Sequence, residues 1–195
     1  MMRSFVIVVD AQGDFVRADG ALSVAGADAL VGPMNAWLAA LTPEETAGVL
    51  FTFDTHEEEI YRGSKEAEQF RLHCVRGTAG WNTVLDPGAI DARIPLYRLE
   101  KGVFDMWEEA DVCIEPMRGG AATPRDRFFE TLKTEGVTHV TVIGVAADYC
   151  VRWAIQGLVD RGFAVTVPGE LTRGIARQMP QVLGEDFAGK PVALA

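Results

Sequence analysis

The sequence predicts an α/β fold, a three-layer α/β/α sandwich around a mostly parallel sheet. Three observations carry this. Short runs of β-branched and apolar residues alternate along the chain with longer segments of helical apolar spacing. The strand candidates are apolar at consecutive positions, as in strands covered on both faces. Residues able to do chemistry fall where those strands end, the rim at which open parallel sheets bind ligands. A chain of 195 residues suits one core, and residues 1–195 are read as a single domain with no internal repeat or low-complexity linker.

The elements follow in order. "SFVIVVD" (4–10) is a continuous apolar strand. "ADALVGPMNAWLAAL" (27–41) has helical spacing and stops before Thr42 and Pro43. "AGVLFTFD" (47–54) is a second buried strand, and "RIPLYRLEKG" (93–102) a third, with Pro95 near its start. "TPRDRFFETLKTEG" (123–136) is a helix with Thr123 as N-cap, Pro124 at its first position and Gly136 closing it. "THVTVIGV" (138–145) is a fourth strand, "DYCVRWAIQGLVDRG" (148–162) a helix and "FAVTVP" (163–168) a fifth strand. Right-handed crossovers would join them. The closing "DFAGKPVALA" fits either a last strand or a tail, and Trp37, Trp81, Trp107 and Trp153 suit a core or an interface equally.

Composition narrows the function. About half of the residues are hydrophobic and 24% are charged, which describes an ordinary globular chain. A net charge of −10 argues against a nucleic-acid partner and against docking on an anionic membrane. No stretch reads as a secretory leader or a bilayer span. Three cysteines without disulfide spacing point to reduced thiols and a cytoplasmic location.

The strand ends place Asp10, Asp54, His56, Lys101 and Cys150 on one rim. Cys150 lies in the first turn of its helix. There, free amides, the helix dipole and a neighbouring Lys101 ammonium are expected to lower its pKa. Asp10 could then carry the proton between thiol and leaving group. The small residues of "GVAA" let main-chain amides approach a developing oxyanion. The plainer alternative is a buried structural cysteine, a salt-bridged lysine and a capping aspartate. Asp54, His56 and His73 bring one carboxylate together with two of the chain's three histidines. That set suits Zn²⁺, Fe²⁺ or Mn²⁺. His139 starts a strand and reads as structural.

Three motifs in order, "VVDAQGDF" (Asp10, Gln12, Asp14, Phe15), "LEKG" (Lys101) and "GVAADYCV" (Cys150), resemble the cysteine hydrolases of the isochorismatase-like superfamily, which are Rossmann-like in fold. "HCVRGTAGW" adds a resemblance to the nicotinamidases (pyrazinamidases) within it. The resemblance implies catalytic Asp10, Lys101 and Cys150. It implies a cis Val145–Ala146 peptide, with the Ala146 and Cys150 amides as oxyanion hole. It implies a metal on Asp54, His56 and His73, zinc before iron or manganese, with Glu66 as a further ligand and Glu58 and Glu59 as its competitors. No organic cofactor is implied. The partner would be a small amide, nicotinamide, walled by Phe15 and Phe70 and hydrolysed to nicotinate and ammonia through a thioester. A homo-oligomer is common among relatives. Other small amides or ureido compounds, vinyl-ether hydrolysis and a silent ligand-binding role are the alternatives. The segment after Lys101, "KGVFDMWEEADVCIEP", departs from the family pattern, so Met106 and Trp107 are expected to reshape the pocket, and Phe70-Arg71 stands where relatives have Trp-Pro.

Overall fold

The computed structural model describes residues 3–195. The chain enters through β1 (Ser4–Val9), a short α1 (Gly13–Val16) and α2 (Val31–Ala39). It then forms β2 (Thr46–Asp54), α3 (Glu58–Tyr61), β3 (Leu96–Lys101), β4 (Cys113–Pro116) and β5 (Thr123–Pro124). The second half runs through α4 (Arg125–Thr134), β6 (His139–Val145), α5 (Cys150–Asp160) and β7 (Ala164–Val167). It closes with β8 (Thr172–Arg173), α6 (Met179–Asp186) and β9 (Val192–Leu194). One sheet has the order β5-β4-β3-β2-β1-β6-β7-β9, with β8 beside the end of β6. All pairings are parallel except β3–β4 and β4–β5.

The alternation of side chains along β1 builds both cores. Phe5, Ile7 and Val9 face the layer of α4, α5 and α6, where they meet Phe128, Val151 and Val182. Val6 and Val8 face the other layer and meet Met34 and Leu38 of α2. Neither face of the central strands reaches water, which is why their sequences are continuously apolar.

Several boundaries differ from the sequence reading, each for a local reason. The helix expected over 27–41 divides into a 3₁₀ turn at Ala27–Leu30 and α2. Pro33 has no N–H, so it is tolerated only in a first turn, and a helix must restart just before it. The third strand begins at Leu96; before it the chain turns, with the Arg93 backbone N–H donating to Asp91 Oδ1 at 2.9 Å. Thr123 does not cap α4. Thr123 and Pro124 pair instead with Ile114 and Cys113 as an edge strand, and the helix starts at Arg125 with no side-chain cap. The two outermost strands on this side of the sheet, β4 and the edge strand β5, lack an apolar run, since only Ile114 of β4 is buried. The closing segment forms the final strand, β9, paired with β7.

Trp107 shows how tightly α5 is packed. Its indole Nε1 donates to Trp153 O at 3.2 Å, and Arg161 covers its ring at 3.9 Å. A Cβ at Gly157 would lie 2.1 Å from that nitrogen. Gly157→Ala should therefore destabilise the protein by about 1–3 kcal/mol, against the helix propensity of alanine. In a Trp107→Ala background the same change should stabilise it. Thermal melts of the two single variants and the double variant measure both signs, and equal effects in the two backgrounds would refute the packing argument.

Candidate active site

The sheet order brings the carboxyl ends of β3, β2, β1 and β6 side by side. Lys101 stands opposite Asp54 in the register of β2 and β3, and Val9, just before Asp10, stands opposite Gly144. Asp10, Asp54, Lys101 and Cys150 are all buried. Lys101 Nζ lies 2.8 Å from Asp10 Oδ2, 3.4 Å from Asp54 Oδ1 and 3.7 Å from Cys150 Sγ. Asp10 leaves β1 with φ +46°. It is pinned by Thr52, whose hydroxyl donates to Oδ1 at 2.5 Å and accepts from the Asp10 amide at 3.2 Å. The other oxygen, Oδ2, accepts no well-aligned hydrogen bond among the described residues despite the nearby ammonium. Oδ2 is therefore a free acceptor beside the Lys101 ammonium, the same ammonium that lies 3.7 Å from the Cys150 sulfur.

The charge state of the thiol corrects the sequence reading. Burial pushes the Cys150 pKa up; Lys101 opposes this, and the Asp10 and Asp54 carboxylates add to it. The net shift is well upward, so the resting group is a thiol and not a standing thiolate. The helix terminus and one ammonium do not outweigh desolvation and two carboxylates. Burial also works against the Lys101 ammonium, but Asp10, Asp54 and Cys150 hold its pKa well above the ordinary lysine value. Such an arrangement can pass a proton from sulfur to Asp10 while the lysine charge stays in place.

Beside it, Asp54, His56, Glu66 and His73 offer ligand atoms that all lie within 4.8 Å of one another, all on buried residues. Their hydrogen-bond chemistry fits a cation. His73 Nδ1 faces the Arg71 carbonyl at 2.8 Å, and a carbonyl only accepts, so Nδ1 carries the proton. The Nε2 lone pair then faces Asp54 Oδ2 at 3.1 Å and Glu66 Oε1 at 3.2 Å. Glu66 Oε1 has no hydrogen-bond donor among the described residues. Acceptors converge with no donor between them, and either an extra proton or a metal ion must fill the gap. Burial lowers the His73 pKa, but Asp54 and Glu66 outweigh it and raise it to about 10. Burial likewise raises the Asp54 pKa, yet Lys101, His56 and His73 hold it well below the carboxylate range. Glu58 and Glu59 are exposed, and Glu58 pairs with Arg62, so Glu66 alone of the three carboxylates joins the cluster. His139 sits at the opposite end of β6.

The loops carrying these groups hold each other through the main chain. Gln12 donates to the carbonyls of Asp54 and Trp81, each at 2.8 Å, and accepts the Asp54 amide at 2.8 Å. Asp14 accepts the Cys74 amide at 2.7 Å, next to His73, where the backbone has φ +45°. His56 and Val75 form an isolated parallel bridge. The Tyr61 hydroxyl, with its pKa raised to about 12 by burial and then by Glu66 and Asp54, donates to the Phe70 carbonyl at 2.9 Å. Gln12 and Asp14 stood in the quoted motif, whereas Thr52 and Tyr61 carried no signal in sequence.

Cys150 and Ala146 line a narrow apolar crevice. The Val145–Ala146 peptide is cis. Phe15 and Phe70 line it too, with Phe15 5.2 Å from the His73 ring. Phe104 and Tyr149 complete the wall, each 5.4–5.6 Å from Phe70 and from one another in edge contacts. The sequence reading missed both, although Phe104 follows Lys101 closely and Tyr149 precedes Cys150. Met106 and Trp107 do not reshape this crevice. Met106 is buried in the core and Trp107 docks on α5, because their segment turns away after Phe104.

Residues 4–183 match the isochorismatase domain family. The chain is 29% identical over 175 residues to the nicotinamidase/pyrazinamidase of Mycobacterium tuberculosis, covering 88% of this chain and 87% of that one. Its fold is similar to that of the pyrazinamidase of Pyrococcus horikoshii in complex with zinc, with TM-score 0.74, 23% identity and coverage of 99% and 98%. It is also similar to an L. infantum protein, PnC1, solved in complex with nicotinate, with TM-score 0.74, 24% identity and coverage of 100% and 92%. No helix among the described residues is long and apolar enough to cross a membrane.

The His73 geometry makes a measurable demand. Its folded pKa of about 10 lies above the ordinary 6.5, so in metal-free protein its contribution to stability is complete below about pH 6.5 and is lost as the pH rises toward 10. Chelated protein should lose thermal stability from pH 7 to pH 10, and added zinc should raise the midpoint by mass action. His73→Ala should abolish the zinc response. A midpoint indifferent to zinc in the wild type would refute the metal fit.

Proposed function

The chain belongs to the isochorismatase domain family, and on that premise we propose that it is a metal-assisted cysteine amidohydrolase converting nicotinamide and water to nicotinate and ammonia. The observation that carries this reading is the joining of Asp10, Lys101 and Cys150 to the Asp54–His56–Glu66–His73 cluster through one lysine, with 2.8 Å to Asp10 and 3.4 Å to Asp54. The relative from Mycobacterium tuberculosis bears the name of this activity, which supports the choice of substrate.

In this reading Cys150 Sγ attacks the carboxamide carbon as its proton passes to Asp10. A carbon–sulfur bond forms, and the amides of Ala146 and Cys150 hold the oxyanion. Asp10 returns the proton to the amide nitrogen, the carbon–nitrogen bond breaks and ammonia leaves a thioester. Water then attacks the thioester carbon while Asp10 takes its proton. The carbon–sulfur bond breaks, the proton returns to sulfur and nicotinate leaves. Lys101 keeps its ammonium throughout and offsets the charge that moves between sulfur and carboxylate.

Phe15 and Phe70 flank the ring, a flat substrate needing apolar walls. Asp54, His56, Glu66 and His73 would hold a divalent ion, with zinc the first choice, and when bound it would supply Lewis acidity beside the ring, helping to position the amide against the thiol. The chain acts as one domain on a small molecule, in the cytoplasm.

Cys150→Ala should lower kcat for ammonia release from nicotinamide by at least about 10³-fold, and Asp10→Asn by a comparable factor. Wild type quenched during turnover should show a nicotinoyl adduct by mass spectrometry, and Cys150→Ala should show none. Near-normal ammonia release by Cys150→Ala would sink the proposal.

A further inference from the structure

Ile175 is one of four large apolar side chains that remain exposed among the described residues, at 49%. Single exposed apolar residues are ordinary. This one differs in its place and in the backbone that carries it. Ile175 lines the rim of the crevice whose inner end is formed by Cys150 and Ala146; Ile60, Met117 and Leu194 do not line that crevice.

The turn that presents Ile175 is closed by one carboxylate. Asp148 Oδ1 accepts the Ile175 amide at 2.9 Å, and Oδ2 accepts the amides of Ala176 and Arg177 at 2.7 and 2.9 Å. Gln178 bonds both the amide and the carbonyl of Gly174, each at 3.2 Å. Arg177 pairs with Glu185 and Asp186 of α6 at 2.9 and 3.0 Å. A Cβ at Gly174 would lie 1.9 Å from the Arg177 carbonyl oxygen, so the turn is as tight as glycine allows. Asp148 stands two residues before Cys150, and the same short segment therefore sets both the thiol and the rim. Phe70, Phe104 and Tyr149, which line the same crevice, hold one another by edge contacts. The crevice has no charged side chain in its lining.

We propose that Ile175 is a specificity-determining residue that limits how large a ring substituent the amide can carry at the rim. This rests on the amidohydrolase reading above. It assigns to the tertiary clamp at Asp148 a role in substrate choice, and it makes residue 175 the position at which that choice can be changed.

The test is kcat/KM for nicotinamide and for nicotinamides carrying methyl to phenyl ring substituents, with zinc-loaded wild type, Ile175→Ala and Ile175→Trp. Ile175→Ala should raise kcat/KM for at least one bulkier amide by about 10-fold or more relative to nicotinamide, the scale of one or two carbons in an apolar pocket. Ile175→Trp should lower the same ratio. A merely structural role would move all substrates together and leave the ratio alone. Ratios that stay within about 2-fold in both variants, while wild type turns over nicotinamide, would overturn the rim proposal and leave the amidohydrolase reading standing. Absence of turnover on every amide by zinc-loaded wild type would overturn both.

Discussion

A buried ammonium between two buried carboxylates is the interaction on which the site depends. Lys101 contacts Asp10 at 2.8 Å and Asp54 at 3.4 Å, and none of the three side chains reaches solvent. Removing an ion from water is costly unless its partner comes with it, so each member of this trio fixes the charge of the others. Asp54 also faces His56 and His73, while Asp10 faces the Cys150 thiol. One lysine thereby joins the Asp10–Cys150 pair to the Asp54–His56–Glu66–His73 cluster. Loss of the lysine would leave two carboxylates facing each other in a dry interior.

The sheet makes this coupling geometric. In the order β3-β2-β1-β6, four neighbouring parallel strands end on one rim, and the register sets Lys101 beside Asp54. Residues separated by more than ninety positions become neighbours because parallel pairing aligns strand ends and the crossovers place helices out of the way. The loops beyond the strands are then tied by fully used polar groups. Gln12 spends its whole amide on the backbone of Asp54 and Trp81, and Asp14 holds the chain at Cys74. Such buried networks rigidify a site because every member left unpaired would be expensive.

The crevice follows a different logic from the polar trio it adjoins. Its lining is apolar and aromatic, and parts of it are held by different means: edge contacts among Phe70, Phe104 and Tyr149, and the Asp148 clamp on the turn at Ile175. Asp148 and Tyr149 lie in the same stretch as Cys150, so positions 146 to 150 contribute to the surroundings of the thiol, to the crevice lining and to the clamp on the turn at Ile175. That concentration explains why so short a segment carried so much of the signal in the sequence.

The sequence by itself determined the alternation of elements, the parallel central strands and the strand-end placement of Asp10, Asp54, His56, Lys101 and Cys150. Local patterning is enough for these, since a strand buried on both faces must be continuously apolar and its first polar residue marks the rim. Tertiary structure decided the rest. The choice of Glu66 over Glu58 and Glu59 depends on how a loop folds over the cluster, and no periodicity encodes that. The upward pKa of Cys150 depends on burial and on carboxylates brought from β1 and β2, where the local helix terminus alone suggested the opposite sign. Met106 and Trp107 turned into the core, and Phe104, Tyr149 and Ile175 reached the crevice, because side-chain direction at a loop is set by packing against distant elements. The short outermost strands β4 and β5 were illegible for the same reason: their pairing partners, and not their own residues, make them strands.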